Sequence, residues 1–282
     1  MYKSLMRNRR GNNTLSGVSD VSDAVDSAES HSQSLLNSPH SQNKKSHNIW
    51  GRLIGVGGGG IFRKRAKAAD VNSLDKAISA LSKKKENLSD DERQVLSDNI
   101  IKLLEEGGGK AELSTIHDYV EAGSSKINRL LRGGEGISSL DDFLRDLNHL
   151  NDYKGISYRA VFVSPTGKEK LEKGIGDIFI DNGVQSASTI PINASGWAAD
   201  DFVKQSKSRG GMPAVFIFDE FVSQKNMSSN LLADHVVVRP GAPLELLAVK
   251  NANGVTYAYF TSPSKIPKNT YRLYDGVKTK FA

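Results

Sequence analysis

Four short stretches of this 282-residue chain concentrate the side chains able to do chemistry. In the first, Ser125, Asn128 and Arg132 are spaced three and four apart, which on a helix puts them on one face. The second is Tyr158-Arg159, inside the β-rich run Ile156 to Val163. The third, Gly176 to Ser188, reads as a strand, a turn at Asn182-Gly183 and a second strand, on which Ser186 and Ser188 share a face. The fourth is Ala233-Asp234-His235, followed by the apolar triplet Val236 to Val238 and the turn at Pro240-Gly241. Glu220 adds a carboxylate at the end of another β-rich segment, in Phe218-Asp219-Glu220-Phe221.

Several chemistries are excluded at once. The chain has no cysteine, so thiolate zinc sites and a cysteine nucleophile are out. No Gly-x-Ser-x-Gly elbow supports a hydrolase, and no paired acids on adjoining strands mark a glycosidase. Gly57 to Gly60 follows no strand and lacks dinucleotide-binding spacing, and no Walker Lys-Ser/Thr pair completes a phosphate loop. His117 and His149 stand singly on helical stretches, without the spacing of a metal site.

In their order along the chain, the four stretches resemble the mono-ADP-ribosyltransferases of the Arg-Ser-Glu class. That class includes clostridial actin- and Rho-modifying toxins and several type III effectors, and the resemblance covers roughly residues 112 to 262. In it, a helix with Asn-x-x-x-Arg precedes a Tyr-Arg strand. A Gly-Asp-x-Phe-x-Asp-x-Gly run then leads into Ser-Thr-Ser, and Glu-x-Glu precedes an apolar triplet and Pro-Gly. The first three are matched by Asn128 to Arg132, Tyr158-Arg159, and Gly176 to Ser188, with Ser-Ala-Ser for Ser-Thr-Ser. The fourth departs: His235 stands where the class has its catalytic glutamate, and Ala233 where it has the first Glu or Gln.

The resemblance implies that NAD is the substrate. Without a glycine-rich loop, its pyrophosphate has to be met by guanidinium groups, which bind phosphate bidentately. Arg159, with Arg132 and Asn128 from the helix and Ser125 on the same face, is expected to do this. Ser186, with Ser188 beside it, is expected to order the site, and the backbone of Ala160 to hold the nicotinamide amide. Trp197 or Phe202 could cover the nicotinamide ring or pack in the core. Breaking the ribosyl–nicotinamide bond leaves a cationic centre that a carboxylate stabilises. Asp234 supplies one if a bulge turns it inward, Glu220 if it reaches across from its strand end. A neutral His235 could bind a ribose hydroxyl, or the site is inactive.

The implied function is transfer of ADP-ribose to a side chain of a host protein such as ubiquitin or a small GTPase. Loss of the carboxylate at Ala233 points to Thr, Ser, Asn or Gln as the acceptor. The alternatives are an inactive binding module of the same fold and an NAD glycohydrolase.

The elements that must position these residues follow from pattern. Val71, Leu74, Ile78 and Leu81 fall at helical spacing. A capping box, Ser89 with Glu92, opens the next helix, whose stripe is Val95, Leu96, Ile100, Leu103 and Leu104 before Gly107 to Gly109. Helices over about 113 to 121 and 124 to 132 follow, then one opened by Ser138 and Asp141 with Leu140, Phe143, Leu144, Leu147 and Leu150 inward. After Asp152, β-rich segments dominate: 156 to 163, 177 to 180, 214 to 218, 236 to 238, 244 to 249 and 255 to 260. Helices first and strands later predict an α+β fold, and the resemblance implies an ADP-ribosyltransferase-like one with a mixed or antiparallel core of two sheets.

Charge is distributed unevenly. The net +6 splits into +2 for residues 1 to 50, +5 for 51 to 69 and −1 for the rest, so the body offers no basic face to nucleic acid. Residues 1–48, rich in Ser and Asn with no sustained period, read as a disordered leader resembling type III export signals. Residues 49–69 form a basic, Gly-rich linker that could meet a secretion chaperone or an anionic membrane surface. Residues 70–282 hold the helical segment and the motif-bearing domain. A monomer is expected, exported from a bacterium into the host cytosol.

Overall fold

A computed structural model describes residues 66–83, 87–107, 114–133, 138–197, 210–229, 232–265 and 270–280. The expected leader and all but the last residues of the linker lie outside this set.

Helix α1 is Ala68–Leu81 and α2 is Asp90–Gly107. The capping box forms reciprocally: Ser89 N–H donates to Glu92 Oε2 at 2.9 Å, and Glu92 N–H to Ser89 Oγ at 3.2 Å. The apolar stripes are only partly inward. Leu74, Ala77 and Leu81 bury against the sheet, but Val71 is exposed. On α2 Leu103 is buried, whereas Val95 and Ile101 face outward, since α2 touches the body along one narrow line.

Helix α3 (Ser114–Asp118) runs through a wide π-turn, Tyr119–Gly123, into α4 (Ser124–Gly133), and α5 is Ser138–His149. Ile116, Tyr119, Phe143, Leu147 and Leu150 form one core with Val184 and Val237 of the sheet. Two helices unmarked in the sequence pattern interrupt the strands: α6 (Pro165–Lys173) and α7 (Pro191–Trp197). The signal for α6 was present, since Ser164 caps Gly167 N–H at 2.9 Å and proline opens the helix. Helices and strands are therefore interleaved in the second half of the chain.

The strands are β1 (Asp152–Tyr153), β2 (Ser157–Val163), β3 (Ile178–Ile180), β4 (Gln185–Ser188) and β5 (Met212–Phe218). They continue with β6 (Gln224–Asn226), β7 (His235–Val238), β8 (Leu244–Ala252), β9 (Val255–Thr261), β10 (Thr270–Arg272) and β11 (Lys278–Thr279). Their order is β1-β6-β7-β4-β2-β5-β9-β8-β3-β10-β11, with β5–β9 and β3–β10 parallel and the other pairs antiparallel. The two sheets expected from sequence are joined into one ladder. The junction is a single bridge, Tyr158 with Ser188, beyond which β2 and β4 diverge.

Successive residues of a strand face opposite ways. Tyr158, with Val215, Ile217, Tyr257 and Tyr259, packs under α1. Val161, Phe216, Phe218 and Phe260 bury on the other face with Phe179 and Leu171; the Phe260 ring meets Phe216 and Phe179 edge-on at 5.4 and 5.9 Å and stacks on Phe218 at 6.1 Å. Helix α6 seals that face so closely that a Cβ on Gly167 would stand 2.1 Å from the Tyr274 carbonyl oxygen. Ser164 N–H donates to the same oxygen at 2.9 Å, and Gly276 ends the turn at φ +67°. Gly167→Ala is therefore expected to force helix and turn apart at a cost of about 1–3 kcal/mol, read as a lower urea midpoint with unchanged m-value.

Candidate functional site

The junction between the two halves of the sheet gathers most of the residues singled out above. Arg159 lies on β2 one residue past the bridge, opposite Phe216, and is only 5% exposed. Its Nη1–H donates to the Ser186 carbonyl oxygen at 2.5 Å, and its Nε–H to the Tyr274 hydroxyl at 3.3 Å. Across β4, Ser186 pairs with Val237 and Ser188 with His235 of β7, so the two serines and the histidine share a face while Ala187 turns into the apolar core.

Asp234 sits in the turn immediately before β7. No bulge is needed: the turn itself swings the carboxylate inward, and Ser188 Oγ–H donates to its Oδ2 at 2.8 Å. Asp234 is fully buried, and its backbone oxygen accepts from Thr189 N–H. Ser188 is further held by Ile190 N–H, which donates to its Oγ at 2.8 Å.

The helix residues divide by role. Asn128 is fully buried; its Oδ1 accepts from Val184 N–H at 2.7 Å, and its Nδ2–H donates to the Tyr119 hydroxyl at 3.4 Å. The Tyr119 hydroxyl in turn shares a hydrogen bond with Ser186 Oγ at 2.9 Å. Asn128 thus fixes the start of β4. Arg132 makes a forked ion pair with Asp181, Nη2 to Oδ2 at 2.9 Å and Nε to Oδ1 at 3.1 Å, and its guanidinium lies flat on the backbone of Gly183. Ser125 is half-buried one turn before Asn128. Ala160 pairs with Val215 on the β5 side, and its other edge lies beyond the last bridge to β4.

Glu220 stands apart. It lines a cleft of about 710 Å³ on the α1 side of the sheet, with Tyr158, Thr189, Asp219, Phe221 and Tyr259. Since Tyr158 and Arg159 point to opposite faces, the Glu220 cleft lies across the sheet from the Arg159 side chain, whereas Ser188 and His235, in register with Tyr158, turn to the Tyr158 face. Burial pushes the neighbouring Asp219 carboxyl above its usual range. Of the two aromatic candidates, Phe202 lies outside the described residues, and Trp197 ends α7 without a described side chain.

Tyr119 and Tyr274 went unremarked in the sequence, for different reasons. Nine residues separate Tyr119 from Asn128, about half a turn out of phase on an α-helix. The π-turn restores the phase, and Gly123 permits it, since a Cβ there would lie 2.8 Å from the Asp118 carbonyl oxygen. Tyr274 lies beyond residue 262, in the turn after β10, and reaches Arg159 only because β10 pairs parallel to β3.

The electrostatics are those of a buried cation beside a neutral imidazole. Burial, reinforced by Arg159, holds the His235 pKa down at about 4, and neither ring nitrogen has a hydrogen-bond partner among the described residues. The site therefore joins a guanidinium, two hydroxyls, a carboxylate and an imidazole with donor and acceptor capacity to spare.

No protein-family model matches this sequence, and a search of curated proteins found no match. Among solved structures, ADP-ribosyltransferase Vis in complex with the M6 inhibitor aligns at a TM-score of 0.56 and 20% identity, covering 73% of this chain and 98% of that one. Vis toxin, an ADP-ribosyltransferase from Vibrio splendidus, aligns at 0.55 and 20%, covering 72% and 100%. At this identity the likeness establishes architecture: the chain has the ADP-ribosyltransferase fold.

The buried imidazole has a consequence for stability. Unfolding returns His235 to about 6.5, so the unfolded chain binds a proton between the two values and the folded chain does not. Stability is full above pH 6.5 and falls as the pH drops toward 4, by roughly 3 kcal/mol in all. Urea midpoints measured from pH 7 to 4.5 are expected to decline, and His235→Gln is expected to flatten that decline.

Proposed function

We propose that this chain transfers ADP-ribose from NAD to a protein side chain. The observation that carries the reading is the Ser188–Asp234 hydrogen bond. It holds a buried carboxylate, one residue before the position where the family's motif has its glutamate, against the strand that carries Ser186 and Ser188. The fold shared with Vis supports the same chemistry.

The residues divide the work. Arg159 and Arg132 meet the pyrophosphate with guanidinium groups, and Arg132 must exchange some of its hold on Asp181 to do so. The bond between the ribose anomeric carbon and the nicotinamide nitrogen breaks, its electron pair leaving with nicotinamide. Asp234 opposes the positive charge that develops on the ribose, where a buried carboxylate acts with little solvent screening. An acceptor lone pair then forms the new bond to the anomeric carbon, and the acceptor loses a proton to solvent. His235, neutral at physiological pH, offers a hydrogen bond to a ribose hydroxyl without opposing the cation.

The finer reading rests on sequence. Ala233 in place of an acid supports a neutral acceptor, Thr, Ser, Asn or Gln, on a host protein such as ubiquitin or a small GTPase. The composition of residues 1–48 supports bacterial export.

A second reading has its own support: the residue at the glutamate position is an uncharged imidazole, which suits a module that binds NAD or a host protein without turning it over. Labelled NAD and a host lysate separate the two. We expect label on a protein band from the wild type. Asp234→Asn is expected to lower the transfer rate at least about 100-fold while retaining NAD binding, Arg159→Ala to lose binding, and Glu220→Gln to change neither appreciably. Wild-type activity in Asp234→Asn would rule out Asp234 as the catalytic carboxylate, and free ADP-ribose alone would make water the acceptor.

A further inference from the structure

The C-terminal turn reaches into the site through one side chain, Tyr274, outside the motif-bearing stretch. Its hydroxyl accepts from Arg159 Nε–H at 3.3 Å and donates to Gln185 Oε1. Its ring lies under the other arginine, with the Arg132 guanidinium carbon 5.6 Å from the ring centroid. The loop of contacts closes through Gln185, whose amide donates to Asp181 Oδ2 and to the Gly183 carbonyl oxygen, while Asp181 holds Arg132. One tyrosine therefore touches both guanidinium groups, each by a different kind of contact.

The tyrosine is itself rigidly held. Its ring packs on Phe216 at 5.9 Å, its carbonyl oxygen accepts from Ser164 N–H, and Gly167 lets α6 lie directly against its backbone. The rigidity matters because a guanidinium on a long flexible stem binds phosphate well only when its orientation is fixed beforehand.

We propose that Tyr274 is the positioning residue that sets the geometry of both phosphate-binding arginines, Arg159 through its hydroxyl and Arg132 through its ring. This rests on the reading of Arg159 and Arg132 as NAD ligands. The two contacts can be removed separately: Tyr274→Phe deletes the hydroxyl and keeps the ring, and Tyr274→Leu deletes both.

Proton–nitrogen correlation spectra of the arginine Nε–H groups, assigned with Arg159→Lys and Arg132→Lys, read the geometry directly. The Arg159 resonance is expected to shift in Tyr274→Phe while that of Arg132 stays, and both are expected to shift in Tyr274→Leu. With NAD as substrate, Tyr274→Phe is expected to raise KM about tenfold and change kcat less than about threefold, and Tyr274→Leu to raise KM further. A thermal midpoint within a few degrees of wild type in Tyr274→Phe separates this from general destabilisation. An unmoved Arg159 resonance in Tyr274→Phe, or an unchanged KM in both variants, would overturn the proposal. A wild type that neither binds nor turns over NAD sinks the transferase reading instead, and the resonances alone then decide whether Tyr274 positions the arginines.

Discussion

A guanidinium cannot lose its water unless the protein replaces the hydrogen bonds that water made. Arg159 is buried at the one bridge that joins the two halves of the sheet, and much of the surrounding structure answers that requirement. The Ser186 carbonyl oxygen is available to it because β2 and β4 diverge beyond that bridge. The Tyr274 hydroxyl comes from the far edge of the ladder. The same cation makes a second charge nearby costly, which is one reason the imidazole of His235 stays neutral.

The helical half of the molecule contributes by holding β4. Asn128 spends its amide on Val184 and Tyr119, and Tyr119 spends its hydroxyl on Ser186, so the strand carrying both serines is pinned from one side. Asp234 and Ile190 hold Ser188 at the other end. Satisfied buried polar networks of this kind are rigid because breaking any one bond strands a partner in a low-dielectric interior. His235 departs from this, with neither ring nitrogen hydrogen-bonded among the described residues, and Thr189 Oγ1 beside it is likewise left over.

Much of this was legible in the sequence. Arg159, Ser186 and Ser188 were singled out by motif, and the shared face of the two serines follows from strand periodicity. The capping box of α2 and the stretches of β2, β5, β8 and β9 were readable from local pattern. Helix α7 and the short strands β1, β6, β10 and β11 were not marked, because segments so brief have too few residues for a period to show, and α6 is signalled only by its cap and opening proline. Arg132 illustrates a different limit. Its helical face was correct, yet its partner Asp181 lies 49 residues away, and no spacing rule couples the two.

The sequence by itself determined the α+β fold class and singled out residues able to do chemistry, because residue types and strand alternation are local properties. It left Asp234, Glu220 and His235 open as the group at the ribose. Their neighbours come only from the tertiary structure, because long-range pairing sets them: the turn before β7 swings Asp234 onto Ser188, while Glu220 lines the cleft beside Tyr158. Tyr274 entered the site for the same reason: the pairing of β10 with β3 brings together residues that the chain keeps 115 positions apart.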